Sequence, residues 1–326
     1  MKKLRVGVAG AGHLGKAHIS NYKEIELTEL VGAFDVDREK SKDISSEYKV
    51  RSFDSLESML KEVDAVSIVV PTSQHYEVAE EALNNNKHIF IEKPITAKLS
   101  EAEKLIELSE KRGLKIQVGH IERFNPAFLS LDKFKLQPRF IETHRLALFN
   151  PRGMDVSVVL DFMIHDIDLI LSMIKSPIKR IDASGVIVVS DSVDIANARI
   201  QFEDGAVANI TASRISQKNM RRMRIFQKNN YITIDFLLRK TEIYSIFDED
   251  EEFSTDNAVL VDELEFKGKK KKIYLQKPYI SEDNALKIEL ESFAESVLYN
   301  KNIKVGPHDG KKALEVALNI IDKIKQ

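Results

Sequence analysis

The chain has 326 residues, 43% of them hydrophobic and 31% charged, a globular balance with length for about two domains of roughly 100–200 residues. Lysine plus arginine (49) nearly cancels aspartate plus glutamate (51), so a net charge of −2 gives no footing for nucleic acid or an anionic membrane as a partner. With no cysteine, disulfides, thiolate metal sites and a thiol nucleophile are excluded. No stretch approaches the roughly 18 apolar residues of a membrane span, and the expected location is cytoplasmic.

Strand and helix signals alternate from the start. Leu4 to Ala9 is a short apolar run that soon becomes glycine-rich, so it reads as a buried strand and not as a signal peptide. A helix follows to about Tyr22, then a strand from Leu27 to Phe34 that stops at Asp35. Arg38 to Tyr48 reads as a polar helix, Val50 to Phe53 as a short strand, and Ser55 as the cap of a helix to Lys61. Ala65 to Val70 is wholly apolar apart from Ser67, as suits a parallel strand buried on both faces. Gln74 to Asn85 (helix), His88 to Ile91 (strand), a helix capped by Ser100 and ended by Gly113, and Lys115 to Val118 (strand) complete the pattern. Such alternation predicts an α/β domain with a doubly wound parallel sheet over residues 1–120.

Beyond Gly119 the grammar changes. A helix at Pro126 to Lys133 leads to a strand, Phe140 to Leu148, and Val156 to Met173 is apolar and helical. Strands follow at Ile178 to Val189, Ile195 to Phe202 and Ala206 to Ser213, with Glu203-Asp204-Gly205 as a hairpin turn. More strands are expected between Arg222 and Ile246, and helices at Ser281 to Leu298 and Asp309 to Lys325 close the chain. Residues 121–326 are therefore expected to form an α+β substrate domain on a mostly antiparallel sheet. The acidic run Asp248 to Glu252 and the basic run Lys267 to Lys272 read as solvated facing arms or loops.

Gly10-Ala11-Gly12-His13-Leu14-Gly15 follows a strand and opens a helix, the setting a dinucleotide fingerprint requires. Gly10 permits the tight turn, Gly12 lets backbone approach a pyrophosphate, and Gly15 allows close packing. The helix N-terminus offers free N–H groups to the phosphates. Asp35, 20 residues after Gly15, stands where a carboxylate accepts ribose hydroxyls and repels a 2′-phosphate, which favours NAD over NADP; Arg38 lies close enough to act there too. Pro71, Thr72 and His75 follow a strand at the carboxyl edge of the sheet and are candidates for the nicotinamide half, with helix capping as the alternative for His75. Glu92-Lys93-Pro94 follows the next strand at the same edge, so Glu92 and Lys93 are further candidates for cofactor contact, and the lysine with a carboxylate beside it is placed to orient a substrate hydroxyl near the nicotinamide.

Leu160-Asp161-Phe162-Met163-Ile164-His165-Asp166-Ile167-Asp168 places Asp161 and His165 four apart, on one helical face, with Asp168 nearby. Together with the glycine loop, Pro71-Thr72, His75 and Glu92-Lys93-Pro94, this motif resembles the glucose–fructose oxidoreductase and inositol dehydrogenase family over essentially the whole chain. The resemblance implies Lys93, Asp161 and His165 as the catalytic group. An imidazole titrates near neutrality, so His165 is the expected base for the substrate hydroxyl, with Lys93 stabilising the developing oxyanion and Asp161 supporting the pair. The reversed roles, with Lys93 as base, stay open. A polar cluster that merely holds the fold is the structural alternative.

The segments Gly119–Ala127, Asn150–Val156, Asp194–Arg199 and Thr211–Arg214 resemble the branch of that family that oxidises the 3-hydroxyl of UDP-N-acetylglucosamine. This implies a sugar-nucleotide substrate whose keto product passes to an aminotransferase. Arg123, Arg152 and Arg214 are candidate partners for its diphosphate, with pairing to Glu122, Asp155 or other carboxylates as the alternative. Asn125 is a candidate sugar contact or a turn cap before Pro126. Another sugar, a UDP-sugar uronate or a polyol is the alternative substrate, and a non-catalytic NAD-responsive binding protein is the alternative of another class. No metal is expected, since neither His120 nor His144 sits in a ligand spacing. Family resemblance implies a homo-oligomer.

Overall fold

A computed structural model describes residues 2–150, 156–251, 257–266 and 268–325. Two compact units divide the chain. The first comprises 1–124 and 283–315, the second 125–282 and 316–326. The chain leaves the first unit near residue 124, returns to it over 283–315, and ends in the second unit.

In the first unit β1 (Leu4–Ala9), α1 (His13–Glu24), β2 (Thr28–Phe34), α2 (Arg38–Tyr48), α3 (Leu56–Leu60), β3 (Ala65–Ile68), α4 (His75–Asn84), β4 (His88–Glu92), α5 (Leu99–Arg112) and β5 (Ile116–Gly119) alternate. The strands form one parallel sheet in the order β2-β1-β3-β4-β5. β3 is buried along its whole length, as expected of a strand covered on both faces. Ser55 caps α3 with a reciprocal Ser58 bond, and Gly113 ends α5 in the left-handed conformation. Three expectations need correcting. Val50 to Phe53 forms only an isolated parallel bridge, Ala33 to Ser52, with the Ala33 N–H donating to the Arg51 carbonyl and the Phe53 N–H to the Ala33 carbonyl. Ser100 is not a cap: α5 already starts at Leu99, and Glu101 reaches back to the Lys98 N–H. His75 is treated below.

The second unit contains α6 (Pro126–Leu129), β6 (Phe140–Leu146), α7 (Ile164–Met173), β7 (Ile178–Val186), β8 (Ile195–Phe202), β9 (Val207–Ser213), β10 (Met220–Gln227), β11 (Asn230–Asp235), β12 (Lys240–Asp248), β13 (Ala258–Phe266) and β14 (Lys269–Gln276). Its nine strands run β13-β14-β12-β11-β10-β6-β9-β8-β7, antiparallel except where β6 meets β9. Burial alternates along β6, so Ile141, Thr143 and Arg145 face inward. α7, apolar nearly all round, packs against β9.

Two strands escaped the sequence reading, β13 and β14, because their sequences are charge-rich. The basic run of β14 pairs in register with β12, and Lys271 meets Asp248 at 2.8 Å. Facing arms is thus the right description for that part; Lys267 and Glu252 lie outside the described residues. The expected strand to Val189 stops at Val186 because the buried Asp194 carboxylate takes the N–H groups of Val188, Val189 and Ser190 and the Ser190 hydroxyl. Burial works to raise the Asp194 pKa, but these hydrogen bonds overcome it and hold the carboxyl below its ordinary value. Stability from a depressed carboxyl is present above the unfolded pKa and is lost as pH falls through the folded one. Asp194→Asn is therefore expected to cost about 3 kcal/mol at pH 7 in urea unfolding. That gap should narrow only below about pH 3.8; a gap that is constant with pH would contradict the assignment.

The chain then supplies α8 (Ala285–Leu298) and α9 (Pro307–Ile324). Leu286, Leu290, Phe293 and Ala294 of α8 enter one core with Leu4, Val6 and Val8 of β1 and Ile19 and Tyr22 of α1. No helix of the described residues is long and apolar enough to cross a membrane.

Candidate active site

The three glycines of the loop sit in different steric settings. Gly10 has φ +107°, and a Cβ there would lie 2.5 Å from the Val69 carbonyl oxygen. A Cβ on Gly15 would lie 2.0 Å from the Gly10 carbonyl oxygen, so helix and loop touch backbone to backbone. At Gly12 a Cβ would meet nothing within 4 Å. That bare position sits at the N-cap of α1, where no side chain caps the helix and its first turn carries no acid. Helix N–H groups thus open onto space suited to an anion. A cavity of about 450 Å³ lies there, lined by Gly10, Gly12, His13, Leu14, Asp35 and Pro71 among others. Gly15→Ala is expected to weaken NAD binding at least about tenfold, or about 1.4 kcal/mol; calorimetry giving an unchanged Kd would count against the close packing described.

Asp35 ends β2 with its carboxylate fixed from two sides, Oδ2 accepting the Ala11 N–H at 2.6 Å and Oδ1 the Asp37 N–H at 2.8 Å. Each oxygen keeps capacity for a further hydroxyl donor. Three further candidates, Arg38, Thr72 and His75, do not line this cavity. Arg38 begins α2 and does not line the cavity; Asp37 and Lys40 do. Thr72 opens a short 3₁₀ turn, and the cavity is lined by Gln74 and Val78 instead. His75 is buried, with Nδ1 2.8 Å from the Pro94 carbonyl oxygen and Nε2 3.0 Å from that of Val70. It clasps the segments that follow β3 and β4. Burial lowers its pKa despite the two carbonyls, which favour the charged ring.

Lys93 follows β4, half-buried, and its N–H donates to Glu92 Oε2 at 3.3 Å; the Lys93–Pro94 peptide is cis. Arg123 lies in a 3₁₀ turn, Ile121–Phe124, with Nη2 3.6 Å from Asp309 Oδ1, a carboxylate pairing of the kind weighed against a substrate contact.

In the second unit, Asp161 stands in a π-helical turn, Val159–Met163, that runs into α7, and His165 is the second residue of α7. The expectation of one uninterrupted α-helix is therefore corrected. A π turn widens the helix locally, a distortion that recurs at functional sites. Asp161 lines a cavity of about 450 Å³ with Arg214, Asn150 and Asn219. Arg214, buried, donates to the Val156 carbonyl oxygen at 2.5 Å, so part of its guanidinium is spent on the backbone. Asn125 takes the turn-cap role: its Oδ1 accepts the Ala127 N–H at 3.1 Å and its Nδ2 donates to the Phe236 carbonyl oxygen. Arg152 lies outside the described residues.

A residue pair missed in the sequence holds this helix. Arg145 of β6 forks onto Asp166 of α7, Nε to Oδ2 at 3.1 Å and Nη2 to Oδ1 at 2.8 Å, both side chains about 95% buried. Arg145 occupies an inward position of an alternating strand, and a lone inward arginine calls for a buried acid.

A glycine-loop cradle with a fixed carboxylate just after the second strand is the arrangement of a dinucleotide-binding oxidoreductase. Residues 4–120 match the oxidoreductase family with an NAD-binding Rossmann fold, and residues 138–233 match the C-terminal domain of the GFO/IDH/MocA group. The chain is 42% identical over 245 residues to the UDP-N-acetylglucosamine 3-dehydrogenase of Acidithiobacillus ferrooxidans, covering 75% of this chain and 78% of that one. A solved structure of that enzyme superposes with a TM-score of 0.89 at 35% identity, spanning 100% of this chain and 99% of the other. The myo-inositol 2-dehydrogenase of Thermotoga maritima is 25% identical over 330 residues, 95% of this chain and 93% of that one. The chain belongs to the GFO/IDH/MocA family of oxidoreductases, and its cofactor is NAD.

Proposed function

We propose that this protein oxidises the 3-hydroxyl of UDP-N-acetylglucosamine to a ketone with NAD as acceptor. The likeness to the Acidithiobacillus ferrooxidans enzyme over nearly the full length of both chains carries the reading. In it, Lys93, Asp161 and His165 form the catalytic group. His165 takes the proton of the sugar hydroxyl, the Lys93 ammonium holds the oxygen as it gains negative charge, and Asp161 supports the histidine electrostatically. Bound NAD supplies the hydride acceptor. Asp35 holds the adenosine ribose and the N-terminus of α1 faces the pyrophosphate. Arg214 is assigned to the sugar nucleotide, its remaining donors suiting a diphosphate.

A 3-keto amino sugar is a substrate for transamination, so the product feeds an aminotransferase that makes a 2,3-diamino sugar of the lipid A type. The reaction draws on the intracellular NAD pool, and we place it in the cytoplasm. We also assign a homo-oligomer. The face of the nine-stranded sheet away from α7 carries a half-exposed row, Phe140, Phe226, Tyr231 and Tyr244, with neighbouring ring centroids 4.8–5.7 Å apart. Beside it run the opposite charges Glu142 with Arg224 and Lys240 with Glu242, a pattern that a second copy complements. Light scattering should give a multiple of 37.1 kDa, and Tyr231→Glu should return the monomer.

The activity is tested by mixing the protein with UDP-N-acetylglucosamine and NAD, following reduced cofactor by absorbance and the sugar by mass spectrometry, with an aminotransferase to draw off the ketone. Loss of two hydrogens from the sugar is expected. No oxidation while calorimetry shows NAD bound would remove this substrate and favour another sugar or a polyol.

A further inference from the structure

The carboxyl end of β4 belongs to a buried polar chain whose inner members, His18 and Ser67, have no part in the dehydrogenase reading. His18, on the inner face of α1 and 0% exposed, sets Nδ1 2.8 Å from Ser67 Oγ and Nε2 3.0 Å from Glu92 Oε1. Glu92 Oε2 accepts the Lys93 N–H. On its other side the Glu92 carboxyl rests on Gly119, its register partner in β5, where a Cβ would come within 2.9 Å of it. The ring of Phe90 meets the His18 ring edge-on, at 5.3 Å between centroids.

The order serine, histidine, carboxylate resembles a nucleophile relay, but Ser67 is sealed in the middle of β3 at 0% exposure, where no substrate reaches it. The chain points the other way, toward Lys93. With Nε2–H donating to Glu92, Nδ1 is left to accept the Ser67 hydroxyl, and every ring nitrogen is satisfied. Burial works to raise the Glu92 pKa; the His18 bond and the charge of Lys93 outweigh it and hold the carboxyl below its ordinary value.

We propose that His18 is a positioning residue for catalysis: it fixes Glu92 as an anion against the bare backbone of Gly119, and this anion sets the place of Lys93. The proposal rests on Lys93 acting in catalysis, as read above. It ties the helix that opens at the glycine loop to the residue that handles the substrate oxygen through one imidazole. Other titratable or charged groups that face this cluster are Tyr22 from α1, His75 from α4 and Glu289 from α8. Burial keeps the Tyr22 phenol and the His75 ring neutral, so neither replaces His18 as a partner for the Glu92 charge.

The full-length enzyme is assayed across pH with NAD and UDP-N-acetylglucosamine. His18→Leu removes the donor; His18→Gln keeps one. The leucine variant is expected to lose about tenfold in kcat, with both KM values within about twofold. The acid limb of its kcat profile should move up by about one pH unit, because Glu92 then takes a proton more easily. Glutamine should recover most of both. Gly119→Ala, which leaves His18 intact and crowds the carboxyl, should reproduce the loss in kcat. Independently of any sugar, carbon-13 NMR of labelled glutamate carboxyls, with Glu92 assigned through Glu92→Gln, should show Glu92 titrating at higher pH in His18→Leu than in the wild type. An unchanged Glu92 titration, a wild-type kcat profile in His18→Leu, or glutamine no better than leucine would overturn the proposal. If His18→Leu fails to fold, Gly119→Ala with wild-type kcat does the same. Lys93→Met separates the two readings: full activity there overturns the role of the lysine, whereas inactivity beside a wild-type His18→Leu overturns only the positioning role.

Discussion

His165→Ala is expected to lower kcat for sugar oxidation about a thousandfold while leaving NAD affinity unchanged. A positioned general base contributes about 10²–10⁴-fold, and the histidine belongs to the unit that does not carry the glycine loop. Steady-state kinetics at saturating NAD and calorimetric titration of NAD measure the two halves of this statement. Lys93→Met should lose about 10²–10³-fold, the scale of removing one group that stabilises an oxyanion. Should Lys93→Met fall much further than His165→Ala, the proton would be going to the lysine, and the reversed assignment of base and electrophile would take over.

The second large effect is on stability. Removing one partner of a buried ion pair strands the other charge, at a cost of about 3–5 kcal/mol. Arg145→Met and Asp166→Ala are each expected to fall in that range in urea unfolding, because both side chains are about 95% buried. The double variant Arg145→Met with Asp166→Leu should be more stable than either, since no charge is then left unpaired. Additive losses would mean that each residue acts through other contacts. Because Asp166 adjoins His165 on α7, the single variants should also lower kcat in the fraction that remains folded.

Legibility in the sequence followed physical scale. Period-2 and period-3.6 patterns span many residues, so the five parallel strands and most helices could be read directly. β13 and β14 were not, because strands facing solvent on charged sides lose the apolar alternation that marks a strand. The glycine loop and Asp35 were legible because they form a short motif at fixed spacing, with Gly10 and Gly15 each answering a steric demand. The lining beyond the loop was harder to read, because which side chain faces a cavity depends on a local turn: Lys40 and Gln74 line it, and Arg38 and Thr72 do not. His18 was within reach. Gly15, His18, Ile19 and Tyr22 mark the buried stripe of α1 at helical spacing, and a histidine on such a stripe needs partners. That those partners are Ser67 and Glu92 is a matter of register between β3 and β4, which no local pattern encodes.

The return of the chain at α8 bears on how the protein is made. When residues 1–124 leave the ribosome, their core still lacks Leu286, Leu290, Phe293 and Ala294. Each large apolar side chain contributes about 1.5–3 kcal/mol once buried, so the nascent N-terminal piece carries an open apolar face through the synthesis of more than half the protein. Translation must pass residues 125–282 of the second unit before that face is closed. A gene cut after residue 124 would therefore yield a sticky fragment and not a portable NAD-binding module, whereas one that joins residues 1–124 to 283–315 through a short linker has every piece it needs.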